Sequence, residues 1–285
     1  MGESVLVVAF DGLDKDLIDQ YNLTHLTQTE YGTIDNHTGM KEINTDELFA
    51  SFITGETWEE HGVTGIKSWD NRLLNVVDRW FPKRGVLFRI GDRGKDIVKA
   101  VLGADRSRYT RDELACETLF DQVPDSTALN VPVYNIVPGI DVFSYVLDRF
   151  GAEYAVREAR KEFEQRKTEF RSVLEDDYTF LMAHFHFIDS MNHLFGHPVT
   201  DEERLRDAYE EIDEFSQEIL DLVEDRFDTV IFMSDHGLPT ETQHNENAFY
   251  SCNHALFPDT EPHITDFHDT ILHHLDTDDT TGLDI

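Results

Sequence analysis

Seven residues of the kinds that bind metal ions or attack phosphorus are spread over most of the chain: Asp11, Thr45, Asp189, His193, Asp235, His236 and His244. Imidazole and carboxylate are the ligands of zinc and similar ions, and a hydrolytic pair of ions clamps the attacking and leaving oxygens of a displacement. Asp189 and His193 are four residues apart, so on a helical turn both would face one ion. Asp235 and His236 are adjacent and cannot share a face of a regular strand, which places them where a strand breaks at Gly237. Thr45 follows Asn44 and opens an apolar-spaced run, so either could cap a helix N-terminus. A hydroxyl there would gain from the helix-end amides and from a metal that lowers its pKa, which makes Thr45 the candidate nucleophile.

Three apolar runs must position these groups. Val5 to Phe10 stops at Asp11, Tyr178 to Ile188 stops at Asp189, and Thr229 to Met233 leads into Ser234, Asp235, His236 and Gly237. Such continuous runs suit buried parallel strands, whose carboxyl ends carry the ligand sites of open α/β sheets. The spacing predicts helices over Asp14 to Tyr21, Asp46 to Phe52, Ala152 to Leu174 and Asp201 to Val223, so the class is α/β. The chain is expected to form one domain over 1–285, with a less regular insertion or cap over about 70–150 and a frayed end from Asp276 onward.

Composition narrows the setting. Asp and Glu number 58 against 24 Lys and Arg, for a net charge of −34, and the acids are interleaved with apolar positions along the whole length. The surface itself is therefore acidic, as suits a salt-loaded cytoplasm in which self-repulsion is screened. One segment departs from this. Between Lys83 and Arg111 nine basic residues, Lys83, Arg84, Arg89, Arg93, Lys95, Lys99, Arg106, Arg108 and Arg111, face three acidic ones. They form either a basic flap that steers an anionic substrate or a surface paired to neighbouring acids. Nucleic acid is disfavoured as a partner because the rest of the surface repels a polyanion. With no basic leader and a first apolar run of only six residues, the expectation is a cytoplasmic protein with no membrane span. Cys116 and Cys252 are too few and too isolated for a disulfide framework or a thiolate metal site.

The chain resembles the alkaline phosphatase superfamily, in particular its type I phosphodiesterase and nucleotide pyrophosphatase branch. The matching stretches are FDGLD with Asp11, SFITG followed by Glu60, His61 and Gly62, DSMNH from Asp189 to His193, SDHG from Ser234 to Gly237, and the late QHNENAFYS with His244. The resemblance implies a three-layer sandwich with a mostly parallel central sheet and an inserted cap. It implies two divalent ions, zinc or manganese, one held by Asp189, His193 and His244 and the other by Asp11, Asp235 and His236, with Thr45 completing the second site. Thr45 would attack a small anionic phosphoester and form a phosphothreonine that water hydrolyses.

Two departures matter. The nucleotide pyrophosphatases carry a phosphate-contacting Asn three residues after the nucleophile, where this chain has Leu48, so that role passes to Asn44, a backbone amide or a basic side chain of the insertion. His254, His263 and His268 rival His244 as the late ligand. His184 and His186, two apart on the strand expected to lead to Asp189, share a face and suit packing or support of the ligands. His61 is expected to be structural and His273 and His274 to lie at a solvated helix end. A phosphomonoesterase, phosphonate hydrolase, phosphomutase or sulfatase-like enzyme of the same superfamily is the nearest alternative, although Thr45 argues against a sulfatase. A binding protein without turnover is the remote one.

Overall fold

The computed structural model describes residues 3–65, 68–69, 106–107, 109–135, 146–147, 149–196, 198–240, 244–258 and 260–276. Most of the expected 70–150 insertion, all but Arg111 of the basic segment's side chains, and the end beyond 276 lie outside these residues.

The elements run β1 (Val5–Phe10), α1 (Lys15–Tyr21), β2 (Glu30–Thr33), α2 (Thr45–Thr54), α3 (Trp58–His61), β3 (Ser68–Trp69), β4 (Arg106–Ser107), α4 (Leu119–Gln122), β5 (Ser126–Leu129), α5 (Ala152–Val173), β6 (Phe180–Phe185), α6 (Phe187–Phe195), α7 (Glu202–Val223), β7 (Thr229–Met233), β8 (Phe249–Cys252) and α8 (Asp266–Asp276). Six strands form one sheet in the order β2-β8-β7-β1-β6-β5, and β3 pairs β4 apart from it. β1 lies parallel to both β6 and β7, and β5 parallel to β6, whereas β8 runs antiparallel between β7 and β2.

Every residue of β1, β6 and β7 is buried, because both faces of the sheet are covered. Along β1, Leu6, Val8 and Phe10 pack with apolar residues of α1, α5, α6 and α7. The alternate residues Val5, Val7 and Ala9 pack with α2, α4 and α8 on the opposite face. The result is an α/β three-layer sandwich with a mostly parallel sheet. The long helices follow the expected spacing closely, α5 burying Ala155, Ala159, Phe163 and Phe170, and α7 burying Leu205, Ala208, Tyr209, Ile212, Phe215 and Ile219.

The strand expected from Tyr178 starts at Phe180, and the helix expected over Asp46 to Phe52 spans Thr45–Thr54, but the largest difference lies at the other end of that strand. The strand expected to run from Tyr178 to Ile188 ends at Phe185, and the chain turns at His186 into α6. Phe187, Ile188, Met191 and Phe195 then bury a helical stripe against α5 and α7. An apolar run does not by itself distinguish a buried strand from a buried helix, and here it covers both.

Among the described residues no helix is long and apolar enough to cross a membrane. Both thiols are free, Cys252 buried and Cys116 half-buried.

Candidate active site

The parallel strands bring their carboxyl ends to one edge of the sheet, and the candidate ligands collect there. Asp11 directly follows β1, its amide bonded to Phe185 O at 3.0 Å. Asp235 and His236 follow β7 by two and three residues. Asp189 and His193 sit one helical turn apart on α6 rather than at a strand end. Gly12 takes a left-handed φ of +75°, and a Cβ there would lie 3.2 Å from Asp189 Cα, so this glycine lets α6 come close to the end of β1.

Two ligand groups result. In the first, one donor atom each of Asp11, Asp235 and His236 lie within 4.8 Å of one another, all fully buried. His236 Nε2 lies 3.3 Å from Asp11 Oδ1 and 3.4 Å from Asp235 Oδ2, while its Nδ1 donates to Gly237 O at 2.9 Å. That backbone bond fixes the ring so that Nε2 is the nitrogen presented to the site. In the second, Asp189, His193 and His244 meet in the same way. His193 Nε2 is 3.4 Å from Asp189 Oδ1 and from His244 Nε2, and the His193 side chain is 43% exposed, so this group opens toward solvent.

Thr45 is the first residue of α2. The cap is Asn44, whose side chain accepts from the Glu47 amide at 3.0 Å, so the Thr45 hydroxyl is not consumed by capping. Thr45 Oγ1 lies 3.4 Å from His236 Nε2 and thus at the first ligand group. Leu48 is completely buried in the core between α2 and the sheet. Asn44 is occupied with its cap and with contacts to Glu42 O and Glu47.

The rival histidines are engaged elsewhere. His254 bonds the Thr229 hydroxyl at 2.7 Å, His263 bonds Thr38 O, and His268 contacts Asp269 and Gln122. His273 and His274 lie in the last turn of α8. His61 is buried, bonded to Ser51 Oγ at 3.0 Å and accepting the Val63 amide, which is a structural arrangement.

Electrostatics set the character of the cluster. Burial raises the Asp235 carboxyl to about 7, with the charge of Asp11 adding to it. Burial would raise Asp11 too, but His186, His184 and His236 outweigh it and hold Asp11 well below the ordinary carboxylate range. Burial would lower His236, yet Asp235 and Asp11 lift it to about 10. His244 is lowered to about 4 by burial and by the neighbouring His236.

The donor set fits divalent ions. Asp11 Oδ1, Asp235 Oδ2 and Asp189 Oδ1 are buried without a hydrogen-bond partner, and each faces a histidine nitrogen of its own group. Buried carboxylate oxygens left unbonded are costly in a protein interior, and a cation shared with imidazole nitrogens is what relieves them.

A family model for type I phosphodiesterase / nucleotide pyrophosphatase matches residues 5–269. The chain belongs to that family. No curated protein matches its sequence significantly. Among solved structures, the PH0037 protein from Pyrococcus horikoshii superposes with a TM-score of 0.52 at 12% identity, over 99% of this chain and 100% of that one, which shows the shared fold. Murine ectonucleotide pyrophosphatase / phosphodiesterase 5, an inactive variant in complex with AMP, gives 0.48 at 14% identity over 82% of this chain. A mutant of the alkaline phosphatase PafA gives 0.47 at 12% identity. This phosphodiesterase-family chain matches 57% of the length of the murine protein.

Several supporting residues escaped the sequence reading. Asp14 caps α1 through Oδ1, and its Oδ2 accepts from the Leu238 amide at 2.9 Å and from Asn245 Nδ2 at 2.8 Å, anchoring the loop that carries His244. Asn36 donates to Asp235 O at 2.7 Å. Asn192, one residue before His193, donates to Gly12 O and accepts from the Tyr209 hydroxyl at 3.3 Å. Buried polar residues beside a ligand motif are a signal for such roles, but their partners lie up to 231 residues away and only the fold supplies them.

Proposed function

We propose that the protein is a phosphoric ester hydrolase of phosphodiesterase or nucleotide pyrophosphatase type, dependent on two divalent ions, zinc or manganese, and acting through Thr45. The observation that carries this reading is the meeting of a helix-start hydroxyl with a buried Asp, Asp, His group: Thr45 Oγ1 stands 3.4 Å from His236 Nε2, whose own neighbours are Asp11 and Asp235.

Asp11, Asp235 and His236, with Thr45, would hold one ion, and Asp189, His193 and His244 the other. When bound, the pair supplies positive charge against the phosphoryl oxygens and lowers the pKa of the oxygens that attack. The chain's own residues do the rest. Asn44 holds the first turn of α2, so the Thr45 hydroxyl and the positive end of the helix face the same phosphate. The Thr45 oxygen attacks phosphorus in line and gives up its proton, the bond to the leaving alcohol breaks, and the phosphoryl group remains on Thr45, still carrying the second ester group when the substrate is a diester. Water then attacks this phosphorus, the bond to Thr45 Oγ breaks, and the hydroxyl is regenerated. With Leu48 buried and Asn44 committed to its cap, the phosphate oxygen is left to the amides at the start of α2 or to side chains of the 70–150 insertion.

The substrate under this reading is a small anionic phosphoester, and the acidic surface belongs to a protein adapted to a salt-rich cytoplasm. Turnover of bis-p-nitrophenyl phosphate, p-nitrophenyl phosphate and p-nitrophenyl sulfate with zinc or manganese tests it. Preference for the diester, abolished in Thr45→Ala, is the expected result. Preference for the sulfate, or full activity in Thr45→Ala, would overturn it.

A further inference from the structure

The two carboxylates that anchor the separate ligand groups are split in the same way. Asp11 turns Oδ1 toward His236 at 3.3 Å, and Asp189 turns Oδ1 toward His193 at 3.4 Å. Both Oδ1 atoms are buried and have no hydrogen-bond partner. The Oδ2 atoms face the other way and meet one imidazole: His186 Nδ1 lies 2.7 Å from Asp11 Oδ2, and His186 Nε2 lies 3.6 Å from Asp189 Oδ2. The two nitrogens of a single ring thus address both ligand groups.

The chain places His186 there by ending β6 one residue before it and starting α6 one residue after it. The ring therefore stands at the strand-to-helix turn rather than on the strand face. His184, still on β6, adds Nε2 to the same Asp11 oxygen at 3.2 Å, and its ring is held edge-on against Phe49 at 5.0 Å. Asp11 Oδ2 thereby has two partners before any ion is considered.

We propose that His186 is a positioning residue that holds the outer oxygens of Asp11 and Asp189 and so aims their inner oxygens at the two separate ion sites. It rests on the two-ion reading above. Partners behind the first ligands fix ligand orientation, and their loss costs metal affinity. His184 assists on the Asp11 side alone. The bridging contact gives the two groups a shared frame, although their ligands come from different strands and loops.

Asn and Gln separate the two arms of the ring, because the Asn amide nitrogen reaches the place of Nδ1 and the Gln amide nitrogen that of Nε2. The experiment is titration of the EDTA-stripped full chain with zinc against a competing chelator. Bound zinc is counted in parallel, for the wild type, His186→Ala, His186→Asn and His186→Gln. Each variant is also combined with His193→Ala or with His236→Ala so that one ion site is read at a time. The expected wild-type count is two ions. In His186→Ala both sites weaken by about 10- to 100-fold, with the count restored at high zinc. His186→Asn keeps the affinity of the Asp11 site, and His186→Gln that of the Asp189 site. The thermal midpoint of each metal-free variant shows that it folds, and if the alanine variant does not, the two amide variants carry the comparison.

Wild-type affinities in His186→Ala with two ions bound would overturn the positioning role alone. So would a wild-type count of three that falls to two in His186→Ala, since Asp11, His184 and His186 would then hold an ion of their own. A wild type that binds no zinc would overturn the two-ion reading itself, and this inference with it.

Discussion

The ring of His236 stacks on the ring of His244, with centroids 3.7 Å apart and planes 11° from parallel. One imidazole belongs to the buried Asp11 group and the other to the more open Asp189 group, so the two are in direct contact through their ligands. Removing the His244 ring takes a ligand from one group and a supporting face from the other. His244→Ala is expected to lose one zinc outright and to weaken the second, with kcat reduced at least as far as the metal count implies. Zinc counting beside steady-state kinetics reads both. Loss of one ion with the other held at wild-type affinity would show that the stacking is incidental.

Asp14 acts on the same loop from a distance in sequence. Its Oδ2 takes the Leu238 amide and the Asn245 side chain, and its Oδ1 caps α1. Asp14→Ala is expected to cost about 0.5–2 kcal/mol for the cap and also to release the His244 loop. Urea unfolding measures the first effect and zinc affinity the second. A variant with reduced stability but unchanged zinc binding would confine Asp14 to capping.

Gly237 stands where Asp14 and Asn245 meet. A Cβ at this position would lie 2.2 Å from Asn245 Oδ1 and 2.4 Å from Asp14 Oδ2. Gly237→Ala must therefore push these groups apart, and it is expected to reproduce the zinc and activity losses of Asp14→Ala without removing the Asp14 carboxylate that caps α1. Activity and zinc affinity within twofold of wild type would mean that the loop adapts freely.

Leu48 tests the departure from the nucleotide pyrophosphatase pattern. It is fully buried with apolar neighbours, so an amide placed there has no partner. Leu48→Asn is expected to lose about 1–3 kcal/mol of stability with no gain in kcat/KM. A gain in kcat/KM would show that the side chain at this position reaches the substrate.

The net charge of −34 makes a separate prediction about salt. Screening shortens from roughly 10 Å at 0.1 M to roughly 3 Å at 1 M, so the thermal midpoint should climb steeply over that range, measured with sodium and potassium chloride. A midpoint independent of salt would remove the case for a salt-adapted protein.

Much of the fold was legible because its strongest signals are local. The runs at Val5–Phe10 and Thr229–Met233 are strands with the expected bounds, and α5 and α7 follow their apolar spacing to within a residue. Asp11, Asp235 and His236 converge because parallel strands deliver their ends to one edge. His186 reads as a strand-face residue in the sequence but stands at the strand-to-helix turn, because FHFI is equally apolar on either side of that turn. Asp14 was invisible as an anchor for a different reason: its partners Leu238 and Asn245 are more than two hundred residues away, and no periodicity encodes that meeting. What meets the phosphate beside Thr45 was not legible either, since the residue in the expected position is a core leucine.

The central claim is a covalent step at Thr45. It is tested most directly by mixing the zinc-loaded protein with a diester substrate, quenching in acid during turnover, and mapping the peptide that contains Thr45 by mass spectrometry. The expected result is one adduct on Thr45, the phosphoryl group with the ester substituent that the diester retains, present during turnover and gone when substrate is exhausted. An active protein whose Thr45 never carries that adduct, or one in which Thr45→Ala turns over at the wild-type rate, would contradict the covalent step.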